Sequence, residues 1–266
     1  MTNNTSHKCL RLVAAGFVLL ASQLAWAQAQ VTKAVGDMLN RAYSGYSAKG
    51  RCWIGVHPEA GRYCMQIDRI DYLTVEGVQR TYVLLHGIKV NERDGSDGAH
   101  VDVGMAGAFV AVQSSAGTEI LAGNAMVAVG SSGQAPKNWK FVKLGPDNYW
   151  GWLNQWGDCH QGYCGSRASI LAPYGKSIRD LAGFAVEYSN QGACNDKACE
   201  KSADNWSSVL EIDSAQVDQR VFPLQLTLSG KRDGKPVIPR TWSFGFNPKS
   251  WRYVEPKGWP LRGVDF

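Results

Sequence analysis

The feature that most constrains this chain is apolar alternation with period two, punctuated by turn residues. Near the C-terminus Leu224, Leu226 and Leu228 alternate with Gln225, Thr227 and Ser229. Arg232-Asp233-Gly234 supplies a hairpin turn, and Ile238, Trp242, Phe244 and Phe246 share one parity on the return. Successive side chains of a strand point to opposite faces, so this pattern describes an antiparallel pair with one face on a core. Short runs of this kind recur from Arg51 onward at roughly ten-residue spacing.

Two of those runs say more. Tyr63 to Val75 reads as one long strand, but its apolar parity changes near Asp68-Arg69, from Met65 and Ile67 to Ile70 and Tyr72. A change of parity needs an extra residue, which predicts a bulge or bend. Glu76-Gly77 then turns the chain into Arg80 to Val90. Within that return strand Tyr82-Val83-Leu84-Leu85 has no polar face and is expected to be buried on both sides.

Met105 to Val112, Thr118 to Val129 and Asn138 to Leu144 continue the series, with Ser177 to Leu181 expected as a helical turn. Val31 to Tyr43 places Val31, Val35, Met38, Leu39 and Ala42 on one face at three- and four-residue spacing, which predicts a helix covering a sheet. The fold class that follows is all-β and mainly antiparallel. It is a β-sandwich or jelly-roll-like domain with one short N-terminal helix.

The first 27 residues have a different character. Lys8 and Arg11 precede an apolar run from Leu12 to Leu24, and Ala25-Trp26-Ala27 is a small-x-small cleavage site. This is the pattern of a secretory signal, so residues 28–266 are expected as a single mature domain, periplasmic or secreted, with no integral membrane segment. Loss of Lys8 and Arg11, with no acid, takes the net charge from +5 to +3. So weak and dispersed a charge argues against a nucleic-acid partner.

Six cysteines remain after the leader: Cys52, Cys64, Cys159, Cys164, Cys194 and Cys199. An even count in an exported chain points to disulfides, and the spacing favours the three local pairs taken in order. A zinc site would need those thiols reduced, so no metal and no cofactor is expected from them.

The functional reading centres on Tyr149 to Cys164. If this stretch is extended, Trp150, Trp152 and Trp156 share a parity and form a row of flat apolar faces suited to a sugar ring. Tyr149 and His160 extend the proposed contact surface, and the amides of Asn154, Gln155 and Gln161 suit a hydroxylated ligand. Tryptophan is also a major core filler, which is the competing reading of the row.

The acid–base candidates are His160 with Asp158, and His100 with Asp102 two residues apart. His86 follows an apolar run and reads as a near-core histidine, while His57 before Pro58 reads as a turn residue. No HExxH motif, phosphate loop, dinucleotide fingerprint or nucleophile elbow is present. The expected function is an exported binding protein, with a glycan as the preferred ligand class. A glycan hydrolase or lyase and a protein-binding module, such as an inhibitor of an extracellular enzyme, are the rivals.

Overall fold

A computed structural model describes residues 33–90, 98–115 and 117–264. The expected signal over 1–27 lies outside the described residues, as do residues 91–97. The chain forms two antiparallel sheets. The first takes its strands in chain order: β1 (Tyr46–Ser47), β2 (Cys52–His57), β3 (Gly61–Val75), β4 (Val78–Lys89), β5 (Met105–Ser114) and β6 (Gly117–Ala128).

The second sheet is built from β7 (Lys140–Gly145), β8 (Tyr149–His160), β9 (Tyr163–Tyr174), β10 (Ser177–Asp180), β11 (Phe184–Ser189), β12 (Asn205–Ile212), β13 (Leu224–Arg232) and β14 (Lys235–Phe244). Its order is β14-β13-β12-β11-β9-β8-β7, with β10 beside β9. A small ribbon, β15 (Phe246–Asn247) with β16 (Arg252–Tyr253), follows. Residues 33–42 form the helix α1, and Lys197–Ser202 a short helix α2.

Three apolar layers hold these elements together, and each explains a sequence pattern. On the outer face of the first sheet, Val35, Met38 and Leu39 of α1 pack on Tyr63, Val83, Leu85 and Phe109. Between the sheets lie Tyr82, Leu84, Ala108, Val110, Trp139, Trp152 and Leu171. Beyond the second sheet, Ile170, Leu224, Leu226 and Phe244 are covered by Tyr253, Trp259 and Leu261 of the C-terminal segment. The apolar run of β4 therefore has a core on each side, with Tyr82 and Leu84 facing the second sheet and Val83 and Leu85 facing α1.

The parity change in β3 is a bulge. The β3–β4 register shifts between Ile67 and Arg69, which leaves Asp68 as the extra residue. The Asp68 carboxylate accepts the backbone N–H groups of Asn138 and Trp139, at 3.2 and 3.5 Å. Arg69 pairs with Asp71 and donates to the Trp139 carbonyl. The bulge thus ties the first sheet to the segment that starts the second. Glu76 and Gly77, with φ of 50° and 79°, make the primed turn that the twist of a two-residue hairpin requires.

Two expectations are corrected. Ser177 to Leu181 is not a helical turn, because Ser177–Asp180 is the strand β10 and pairs with β9. Its Ile178 is fully buried between the sheets and Arg179 stacks on Tyr174, so packing overrides the local preference. Ile238 does not share a face with Phe244, because it is 90% exposed. The β13–β14 register shifts between Leu228 and Gly230, and the extra residue on β14 beside Pro239 turns Ile238 outward.

The three local disulfides form as the spacing favours: Cys52–Cys64, Cys159–Cys164 and Cys194–Cys199. Among the described residues no helix is long and apolar enough to cross a membrane.

Candidate functional site

Trp150, Trp152, Asn154, Trp156, Asp158 and His160 are alternate residues of β8, so all six point toward the space between the sheets. Their fates differ along the strand. Trp152 is completely buried and meets Tyr82 edge-on, with ring centroids 5.9 Å apart. Trp150 stacks on Phe141 at 5.0 Å and 19°. Trp156 packs against the interlayer core and donates from Nε1 to Ser169 Oγ at 3.0 Å.

Tyr149 points the other way, donating to the Pro173 carbonyl at 2.8 Å and accepting from Trp251 Nε1. Burial pushes its phenol up to about 12. Trp152 is thus core rather than ligand surface, and Trp150, Trp156 and Tyr149 are engaged by neighbouring side chains. The amides that suggested a polar ligand have structural work as well. Asn154 is buried and donates to the Lys137 carbonyl at 2.9 Å, anchoring the loop that follows β6.

Past Trp156 the strand runs out from under the first sheet. The Asp158 and His160 side chains are 14% and 42% exposed, and His160 Nε2 lies 3.1 Å from Asp158 Oδ2. The other carboxylate oxygen, Oδ1, accepts the Cys159 N–H at 2.8 Å, which fixes the carboxylate plane. The first sheet contributes His100 from the segment leading into β5. Its ring stacks on His160 at 4.5 Å between centroids. The ligating atoms of His100, Asp158 and His160 all lie within 4.8 Å of one another. Two of the three are adjacent on one strand face, and the third comes from 58 residues earlier in the chain.

The surroundings hold this cluster in place from both layers. His100 Nδ1 is 2.9 Å from Ser132 Oγ, and Nε2 is 3.3 Å from the Cys159 carbonyl oxygen. Ser132 sits at the tip of a tight turn with φ of 52°. Asp102 does not share a strand face with His100. It closes the turn that carries His100, accepting the Ala99 N–H at 2.7 Å, and it pairs with Lys89. That lysine holds its carboxyl below the ordinary carboxylate range. Asp102 is therefore a positioning residue for His100.

On the other side Cys159–Cys164 closes the β8–β9 hairpin. Gly162 at its tip, with φ of 84°, sits on Gly192 so closely that a Cβ would come within 2.2 Å of backbone atoms. Two stapled loops thus brace each other, Cys194–Cys199 behind Cys159–Cys164.

Two other histidines among the described residues stand apart. His57 Nδ1 accepts two backbone N–H groups of its own turn, from Glu59 and Ala60. His86 is buried with no hydrogen-bond partner at either ring nitrogen among the described residues. Burial lowers its pKa, reinforced by the nearby Lys137 charge and opposed by Asp68.

Sequence reasoning had each member of the cluster but not the cluster. His160 with Asp158 is legible from strand parity, whereas His100 arrives through sheet packing. Ser132 had no signal beyond its place in a loop. Comparison of the chain with known protein families, with curated proteins and with solved structures finds no match.

Proposed function

We propose that this chain is an exported binding protein that takes its ligand at the open end of the sandwich, between the His100 turn and the tip of the β8–β9 hairpin. The observation that carries this reading is the convergence of two imidazoles and one carboxylate, from two layers, at a partly exposed position. Each layer commits bracing interactions to hold them there, and pre-organisation of this kind lowers the cost of binding.

Export is supported by the leader pattern over 1–27 together with three disulfides. Binding is preferred over glycan hydrolysis because that chemistry uses two carboxyl groups across the scissile bond. The cluster holds one, Asp158, and the nearby Asp102 is neutralised by Lys89.

A second reading keeps the glycan and moves it. Tyr46 is 52% exposed and meets half-buried Trp53 at 5.0 Å. With Arg51 and Gln66 they line a shallow hollow of about 510 Å³. Trp53 Nε1 donates to Asn40, which fixes the ring, and the Cys52–Cys64 bridge fixes the turn beneath it. A flat aromatic face beside a guanidinium and an amide suits a pyranose.

One titration decides between the two. The mature protein, from Gln28, is screened against oligosaccharides, small organic acids and divalent cations by thermal shift. The first reading expects a response that disappears in both His100→Ala and His160→Ala and persists in Trp53→Ala. The reverse pattern would establish the second reading, and silence across the panel would overturn both.

A further inference from the structure

We propose that His100, Asp158 and His160 form a binding site for a first-row divalent cation, with zinc as the reference ion. This names the ligand class for the open-end site and rests on that reading. Three side-chain donors, two imidazole nitrogens and one carboxylate oxygen, are a set that suits zinc, copper or nickel. Calcium and magnesium take oxygen cages instead, and one carboxylate does not make one. Three protein ligands leave a tetrahedral ion one further position for water or an incoming group.

The distances are near what such an ion needs. With bonds of about 2.0–2.2 Å, donor atoms around a tetrahedral zinc lie roughly 3.4 Å apart. His160 Nε2 and Asp158 Oδ2 are already 3.1 Å apart, and all three donors fall within 4.8 Å. Rotation of the two stacked rings about their side-chain bonds is the movement that would close the remaining gap. His100 is exposed and His160 half-exposed, so both rings have room to turn.

The groups around the three donors fit an outer shell. Histidine ligands generally donate their other ring N–H to a nearby oxygen, which fixes tautomer and orientation. Ser132 Oγ stands 2.9 Å from His100 Nδ1 in that role, leaving Nε2 as the ligating atom. Asp158 is held through its second oxygen by the Cys159 N–H, which leaves Oδ2 facing His160. His100 Nε2 would give up its 3.3 Å approach to the Cys159 carbonyl oxygen to take the ion, while the bonds to Ser132 and to the Cys159 N–H stay in place.

The cluster also sits where the two layers meet. His100 and Ser132 belong to segments flanking the first sheet, and Asp158 and His160 to the second. An ion here joins the two layers where the shared apolar core ends. Direct contacts across this corner include the His100 approach to the Cys159 carbonyl and the stacking of the two imidazoles.

The test is isothermal titration of the untagged, EDTA-treated mature protein with zinc chloride, with calcium chloride as the control. The proposal expects saturable uptake of one zinc per chain and none of calcium. Uptake should be lost in His100→Ala, His160→Ala and Asp158→Asn, and retained in His57→Ala. Ser132→Ala should weaken it about tenfold, the size of an outer-shell effect. Circular dichroism of each variant shows that the fold persists, and His160→Gln gives a second variant of similar volume.

Absence of one-to-one uptake in the wild type, or uptake unchanged in both histidine variants, would overturn the proposal. If zinc fails while another compound of the thermal-shift panel still depends on His100 and His160, the cation falls and the open-end site stands.

Discussion

Two halves of one strand make the instructive comparison. Trp152 and His160 lie on β8 with the same parity, eight residues apart, and face the same interlayer space. One is sealed beneath Tyr82 and Phe141, and the other is open at the rim. Periodicity assigns a face but not a depth. Depth is set by how far the opposing sheet extends, and that depends on pairings distant in the chain. The row of aromatics that suggested a ligand surface is therefore mostly core, and the polar residues that continue it are the accessible part.

The largest way to break this comparison is Trp152→Ala. Removing a fully buried indole should cost about 3–5 kcal/mol. Urea unfolding measures it, and a loss below about 1 kcal/mol would mean that the inner half of the strand is not core. Next in size is the double replacement Cys159→Ser with Cys164→Ser. Opening so small a loop should cost about 2 kcal/mol on the chain-entropy account. The same variant should weaken zinc uptake, because the hairpin tip carries His160. Unchanged uptake would separate the staple from the site.

The third effect is a pH dependence confined to the core. His86 has a folded pKa below its unfolded one, because burial disfavours the charged ring. The folded state then holds fewer protons, so this contribution to stability is present above the ordinary imidazole value of about 6.5. It is lost as pH falls through the depressed folded value. Unfolding between pH 7 and pH 5 should lose stability more steeply in the wild type than in His86→Leu. Equal slopes would remove His86 as the cause. The smallest effect is His160→Ala without metal, expected to shift stability by no more than about 0.5 kcal/mol, as for a partly exposed residue off the core. A loss as large as that of Trp152→Ala would make the rim structural.

Much of the fold was legible because it is written in local chemistry. The β3 bulge follows from a parity change within ten residues, and the three disulfides from short spacings. The burial of β4 on both faces follows from the absence of any polar residue in Tyr82 to Leu85. What was not legible depends on partners. The outward turn of Ile238 needs the register of β13 against β14, and β10 needs the packing of Ile178. The site divides in the same way. Asp158 and His160 are neighbours by strand parity, while His100 and Ser132 reach them only after two sheets have packed.

The most direct measurement is an anomalous difference map at the zinc edge, from crystals of residues 28–266 soaked in zinc chloride. The account predicts one peak at the rim, about 2.0–2.2 Å from His100 Nε2, a His160 ring nitrogen and Asp158 Oδ2. Zinc bound elsewhere with the rim bare, or no ordered zinc at all, would contradict it.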